Sequence, residues 1–146
     1  MAGLRIAIVL YEGMTALDAV GPQEVLRFLP GARVELVAEA AGPVPTDSAV
    51  QLVATTSYDA CEQPDVVVVP GGPGTAGVSS GIDMALVLAE RLSDATTAQA
   101  IQLVAEYDPQ PPHDAGSLAK ASPEVIARAV ELGRPHGAIP DFWEAP

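Results

Sequence analysis

Residues 4–26, "LRIAIVLYEGMTALDAVGPQEVL", decide the fold, because the hydrophobic period changes in mid-stretch. Residues 4–11 form an almost continuous apolar run of strand length, the pattern of a central strand covered on both faces. Glu12-Gly13 interrupts it. From Thr15 the apolar positions Leu17, Val20, Val25 and Phe28 recur at helical spacing. Thr15 is placed to cap that helix and Pro22 lies near its start. Pro30-Gly31 ends it. A buried strand feeding a helix through a short turn is the opening of an α/β protein with a mostly parallel sheet.

Further along, residues 32–40, "ARVELVAEA", alternate and predict a strand with one more exposed face. Val50 to Ala54 predicts a short strand, half of a hairpin with the residues around Val44. Residues 58–64 read as polar linker. Val66 to Val69, all β-branched, predicts a second buried strand, closed by Pro70-Gly71-Gly72. Helices are expected over 82–92 and 95–107, and a shorter one over 123–132 with Ser122 as its cap. The proline-rich run 109–117 reads as a surface loop, and residues 134–146 as a loosely held tail. After Val69 no further strand is evident, so the second half of the chain is helical.

Composition narrows the function. At 146 residues the chain has the length of one domain. No apolar run reaches the ~20 residues that span a bilayer, and no signal peptide is expected. The single cysteine, Cys61, cannot form an internal disulfide, which fits a cytoplasmic location. A formal net charge of −12, with seven scattered Lys and Arg, opposes binding to nucleic acid or to anionic membranes.

The stretch 70–83, "PGGPGTAGVSSGID", fits two catalytic patterns at once. Gly72, Gly74 and Gly77 match a dinucleotide-binding G-x-G-x-x-G, but that fingerprint belongs after a first strand and needs an acid about twenty residues on. Neither condition is met. Gly77, Ser79 and Gly81 match a nucleophile-elbow G-x-S-x-G, but Ser79 lies ten residues beyond the strand, and the only histidines, His113 and His136, sit in proline-rich loops. Ser79 or Ser80 as the cap of the following helix is the simpler reading. Cys61, among Asp59, Glu62 and Asp65 in a polar connector, reads as an incidental surface or half-buried thiol. Asp114, beside His113, reads as a loop residue. Asp18 stands apart: an acid bracketed by Leu17, Ala19 and Val20, expected at the carboxyl edge of the sheet where α/β proteins place their sites. An exposed first-turn carboxylate favoured by the helix dipole is the plain alternative.

Four segments, "IAIVLYEGMTALDAVGPQEVL" (6–26), "DVVVVPGGPGT" (65–75), "GVSSGIDMALVLAERL" (77–92) and "EYDPQPPHDAGS" (106–117), resemble in order the DJ-1/PfpI superfamily, and within it the isonitrile-hydratase-like branch, which also occurs as the N-terminal domain of some AraC-type regulators. The resemblance implies a flavodoxin-like three-layer sandwich, usually a homodimer. It implies addition of water to an isonitrile, giving an N-substituted formamide, with no metal and no organic cofactor. It also implies Asp18 as the acid of the site and Gly71 and Gly72 as backbone donors. Between "PGGPGT" and "GVSSGID" the family carries a long segment that includes the nucleophilic cysteine, and nothing here corresponds to it. Residues 1–133 therefore read as one shortened family domain with an internal deletion at 75–76, and Cys61, before the "PGG" turn, does not equate with the missing nucleophile.

Overall fold

The computed structural model describes residues 3–72 and 79–134. The 75–76 junction, Gly74, Gly77, His136 and the tail from residue 135 lie outside the described residues.

Strand β1 (Arg5–Val9) runs into helix α1 (Ala16–Leu26), then β2 (Arg33–Ala38), the pair β3 (Gly42–Pro45) and β4 (Gln51–Ala54), the two-residue β5 (Thr56–Ser57) and β6 (Val66–Val68). Helices α2 (Ser80–Leu92), α3 (Ala95–Val104) and α4 (Pro123–Gly133) follow. The main sheet has the order β5-β2-β1-β6, and each neighbouring pair in it is parallel. Its inner order, second strand, first strand, third parallel strand, is that of the flavodoxin-like doubly wound sheets. The expected hairpin is present as a separate antiparallel pair, with Val44 opposite Leu52. The chain is thus an α/β protein with a mostly parallel sheet.

Register explains the core. Ile6 lies beside Val34 and Val66, and Ile8 beside Leu36 and Val68, so these residues share one sheet face. Ile6, Ile8 and Val68 join a buried cluster with Ala19, Val25 and Leu26 of α1, Ala85 and Ala89 of α2, and Ala98 and Ile101 of α3. Each fully buried Ile or Leu there contributes about 1.5–3 kcal/mol.

Two sequence expectations are corrected. In α1 the inward face is Ala19, Pro22, Val25 and Leu26, while Leu17 and Phe28 are exposed. The reason is the small side of the helix, which lets α2 come close: a Cβ placed on Gly21 would lie 2.9 Å from Cγ1 of Ile82, and one on Gly81 would lie 3.4 Å from Pro22. Burial of a closely packed seam outweighs burial of two larger side chains. In β6, Val68 is buried but Val67, on the opposite face of the sheet, is 56% exposed, and Val69 just beyond the strand is 67% exposed; among the described residues β6 pairs only with β1.

Caps follow the sequence unevenly. Asp94 accepts from the Thr97 N–H at the start of α3, and Ser122 from the Val125 N–H at the start of α4. Ser79 occupies the cap position of α2 without a side-chain cap bond, and Thr15 does the same before α1. Thr15 uses its hydroxyl elsewhere, as described below.

By internal packing the described residues divide into two units, residues 3–72 with 79–107, and residues 108–134. In the second, α4 and the loop before it enclose a small apolar cleft lined by Leu118, Val125 and Ile126. No helix of the described residues is long and apolar enough to cross a membrane.

Candidate functional site

The carboxyl ends of β1 and β6 lie side by side, and three connections meet over them: residues 11–15, the turn 45–50, and Pro70-Gly71-Gly72. Gly13, at φ +82°, takes the left-handed conformation that turns the chain from β1 toward α1. Its N–H donates to the Pro45 carbonyl at 3.2 Å, and the Asp47 N–H donates to Met14 at 2.9 Å. The Thr15 N–H donates to the Gly71 carbonyl at 2.9 Å. The Thr15 hydroxyl donates to Oδ2 of Asp47 at 2.8 Å. One threonine therefore ties the "PGG" turn, the 45–50 turn and the start of α1 together.

Asp18 sits in the first turn of α1, only 8% exposed. Its Oδ2 accepts the Gly71 N–H at 3.2 Å, while Oδ1 is buried with no hydrogen-bond partner among the described residues. Burial pushes the carboxyl above its ordinary value of 3.8; the Gly71 N–H pulls the other way, and the nearby Asp47 charge adds to the rise. The exposed first-turn carboxylate is thereby excluded. Pro22 contributes to the same spot from one turn on, because it has no N–H to give to the Asp18 carbonyl.

Of the residues singled out from the sequence, the structure brings Asp18 and Gly71 into direct contact, with Gly72 beside them. A Cβ on Gly72 would lie 3.5 Å from the Tyr11 hydroxyl and 3.6 Å from the Gly13 carbonyl. Gly81 closes the other side, where an added Cβ would lie 3.8 Å from Cα of Asp18. Cys61 belongs to the opposite edge. It precedes β6, next to Glu62, which pairs with Arg5 at the start of β1, and its Sγ lies 3.4 Å from the Glu62 carbonyl and 3.9 Å from Oε2 of Glu35. His113 is exposed in the proline-rich loop, and Asp114 there pairs with Lys120. Among the described residues no group of three His, Cys, Asp or Glu side chains could hold a metal ion.

Three participants were not singled out from the sequence as site residues. Tyr11 donates its hydroxyl to the Pro70 carbonyl at 2.8 Å, Thr15 acts as the tie described above, and Asp47 reaches in from the hairpin. A signal for Tyr11 was present, since a polar-tipped aromatic closing a buried strand needs a partner for its hydroxyl. Nothing local marks Asp47, whose place depends on the hairpin folding back.

The arrangement offers a partly desolvated acid, a backbone N–H already directed at it, and a buried carboxyl oxygen open to one further hydrogen bond. That is equipment for holding or moving a proton; no thiol lies with it.

The sequence profile of the DJ-1/PfpI family matches residues 4–100. The chain is 26% identical to the isonitrile hydratase of Pseudomonas putida over 207 aligned positions, covering 90% of this chain and 91% of that protein. Among solved structures it is similar to a THiJ/PfpI family protein from Pseudomonas syringae, with a TM-score of 0.81 at 23% identity over 94% of this chain and 90% of the other. It is also similar to an AraC family transcriptional regulator from Pseudomonas putida, with a TM-score of 0.61 at 14% identity over 70% of this chain and 99% of that one.

Proposed function

Because the chain belongs to the DJ-1/PfpI family, we propose that it is an isonitrile-hydratase-like member that keeps the acid side of the site and has no nucleophile, so that hydration of an isonitrile to its N-substituted formamide is lost or severely impaired. The observation that carries this is the position of the only cysteine in the chain, at the amino edge of the sheet, while Asp18 and Gly71 stand at the carboxyl edge. A thiolate must reach the terminal isonitrile carbon to add to it, and none is placed to do so. In enzymes that depend on a nucleophile, its removal costs on the order of 10⁶ in kcat.

The alignment with the Pseudomonas putida enzyme supports the reading of a shortened domain over residues 1–133. It spans 207 positions, whereas 90% of 146 residues is about 131, so about 207 − 131 = 76 positions have no residue of this chain opposite them. We place that gap at 75–76, where "PGGPGT" meets "GVSSGID".

The test is direct. Incubated with an alkyl isonitrile, the 146-residue chain should release formamide no faster than buffer does, and Cys61→Ala should change nothing. Conversion well above background that survives Cys61→Ala overturns the proposal.

A second reading, a non-catalytic module that senses a small isonitrile-like molecule in a cytoplasmic homodimer, is favoured by one feature. Among the described residues Oδ1 of Asp18 is buried without a partner, which costs about 1–3 kcal/mol unless something satisfies it. A thermal-shift series with isonitriles and formamides, with Asp18→Asn as control, distinguishes the two readings.

A further inference from the structure

The Pro70 carbonyl and the Gly71 N–H are the two ends of one peptide group. The Tyr11 hydroxyl donates to the oxygen at 2.8 Å, and Oδ2 of Asp18 accepts from the nitrogen at 3.2 Å. The next carbonyl, that of Gly71, is held by the Thr15 N–H at 2.9 Å, so the group is fixed in orientation as well as in place.

We infer that Tyr11 is a positioning residue for Asp18: through the 70–71 peptide it orients and polarises the N–H that Asp18 accepts. The inference rests on the reading of Asp18 as the working acid of the site, but its geometry stands whether or not the chain turns over an isonitrile. A donor at a carbonyl draws electron density toward the oxygen and leaves the amide proton of the same group more positive. Hydrogen bonds in such a chain strengthen one another by about a tenth to a third each. A more positive N–H favours the ionised carboxylate, so the tyrosine hydroxyl acts on an acid it does not touch. The other charge acting on Asp18 is that of Asp47, which is engaged by Thr15 rather than by Tyr11.

The experiment follows the carboxyl carbon of Asp18 by ¹³C NMR across a pH titration, assigned with Asp18→Asn, in the full chain. In Tyr11→Phe, which removes only the hydroxyl, the Asp18 midpoint should move up by about 0.3 pH unit and the Gly71 amide proton should shift upfield. Tyr58→Phe is the control. Tyr58 also donates to a backbone carbonyl near this edge, that of Leu10 at 3.1 Å, but not to the 70–71 peptide, so the midpoint should stay in place. Should Tyr11→Phe not fold, 3-fluorotyrosine at position 11, a stronger donor, should move the midpoint down. An Asp18 midpoint insensitive to the group at position 11, or one displaced equally by Tyr58→Phe, overturns the inference. Either result leaves the isonitrile assay untouched, so the two proposals fail separately.

Discussion

At the scale of single residues, Asp18 links stability to pH in a direction opposite to most surface carboxylates. Burial holds its carboxyl above the ordinary 3.8, so the folded state keeps the proton more tightly than the unfolded state does. The stability this provides is complete below pH 3.8 and is lost as pH rises through the folded value. Comparison with Asp18→Asn isolates it, because every other carboxylate is common to both proteins. The difference in unfolding free energy, native chain minus variant, should fall as pH rises above 3.8 and level off once the folded carboxyl has ionised, with a slope no steeper than about 1.4 kcal/mol per pH unit. Urea midpoints at several pH values check this, and a difference independent of pH would mean that burial does not govern Asp18. The residue was legible in the sequence as an acid among apolar neighbours just after a strand. Its contact with Gly71 was not legible, because 53 residues separate the two and the resemblance implied only that Gly71 and Gly72 supply backbone donors.

At the scale of elements, the seam between α1 and α2 carries the strictest geometry. Gly21 faces Ile82 so closely that a methyl group at position 21 would displace the isoleucine. Gly21→Ala should therefore cost about 1 kcal/mol, overpacking outweighing the gain in helix propensity. In an Ile82→Ala background the same change should become neutral or favourable, and a double-mutant cycle by chemical denaturation reads that coupling. Equal cost in both backgrounds would place the constraint elsewhere. Most elements were readable from their periods and caps, including the hairpin around Val44 and the Ser122 cap of α4, whereas the Asp94 cap of α3 was not singled out. The inward face of α1 was not. Hydrophobicity points to Leu17 and Phe28, whereas what decides burial is the neighbouring helix, and the smallness of Gly21 and Pro22 has no hydrophobic signature. For the same reason β6, all valine, reads as buried although its burial depends on what lies beside it.

At the scale of the whole molecule, two opposed tendencies set its association. A net charge of −12 keeps copies apart. Val67 and Val69, exposed on and just beyond a strand that pairs on one side among the described residues, offer an apolar edge that favours association. Salt weakens the first tendency and leaves the second intact. Val67→Lys and Val69→Lys together should therefore reduce self-association at about 0.3 M salt, followed by light scattering with size-exclusion chromatography. Each surface change should alter stability by no more than about 0.5 kcal/mol. Association unchanged by both lysines would assign it to another surface. The α1–α2 seam has a consequence at this scale too, in the history of the chain. Positions 21 and 82 are tied in how they can change: enlarging Gly21 alone creates an overlap, and reducing Ile82 alone leaves a cavity, so each step carries a cost that the other relieves. Change at this seam therefore favours the paired substitution over either single one.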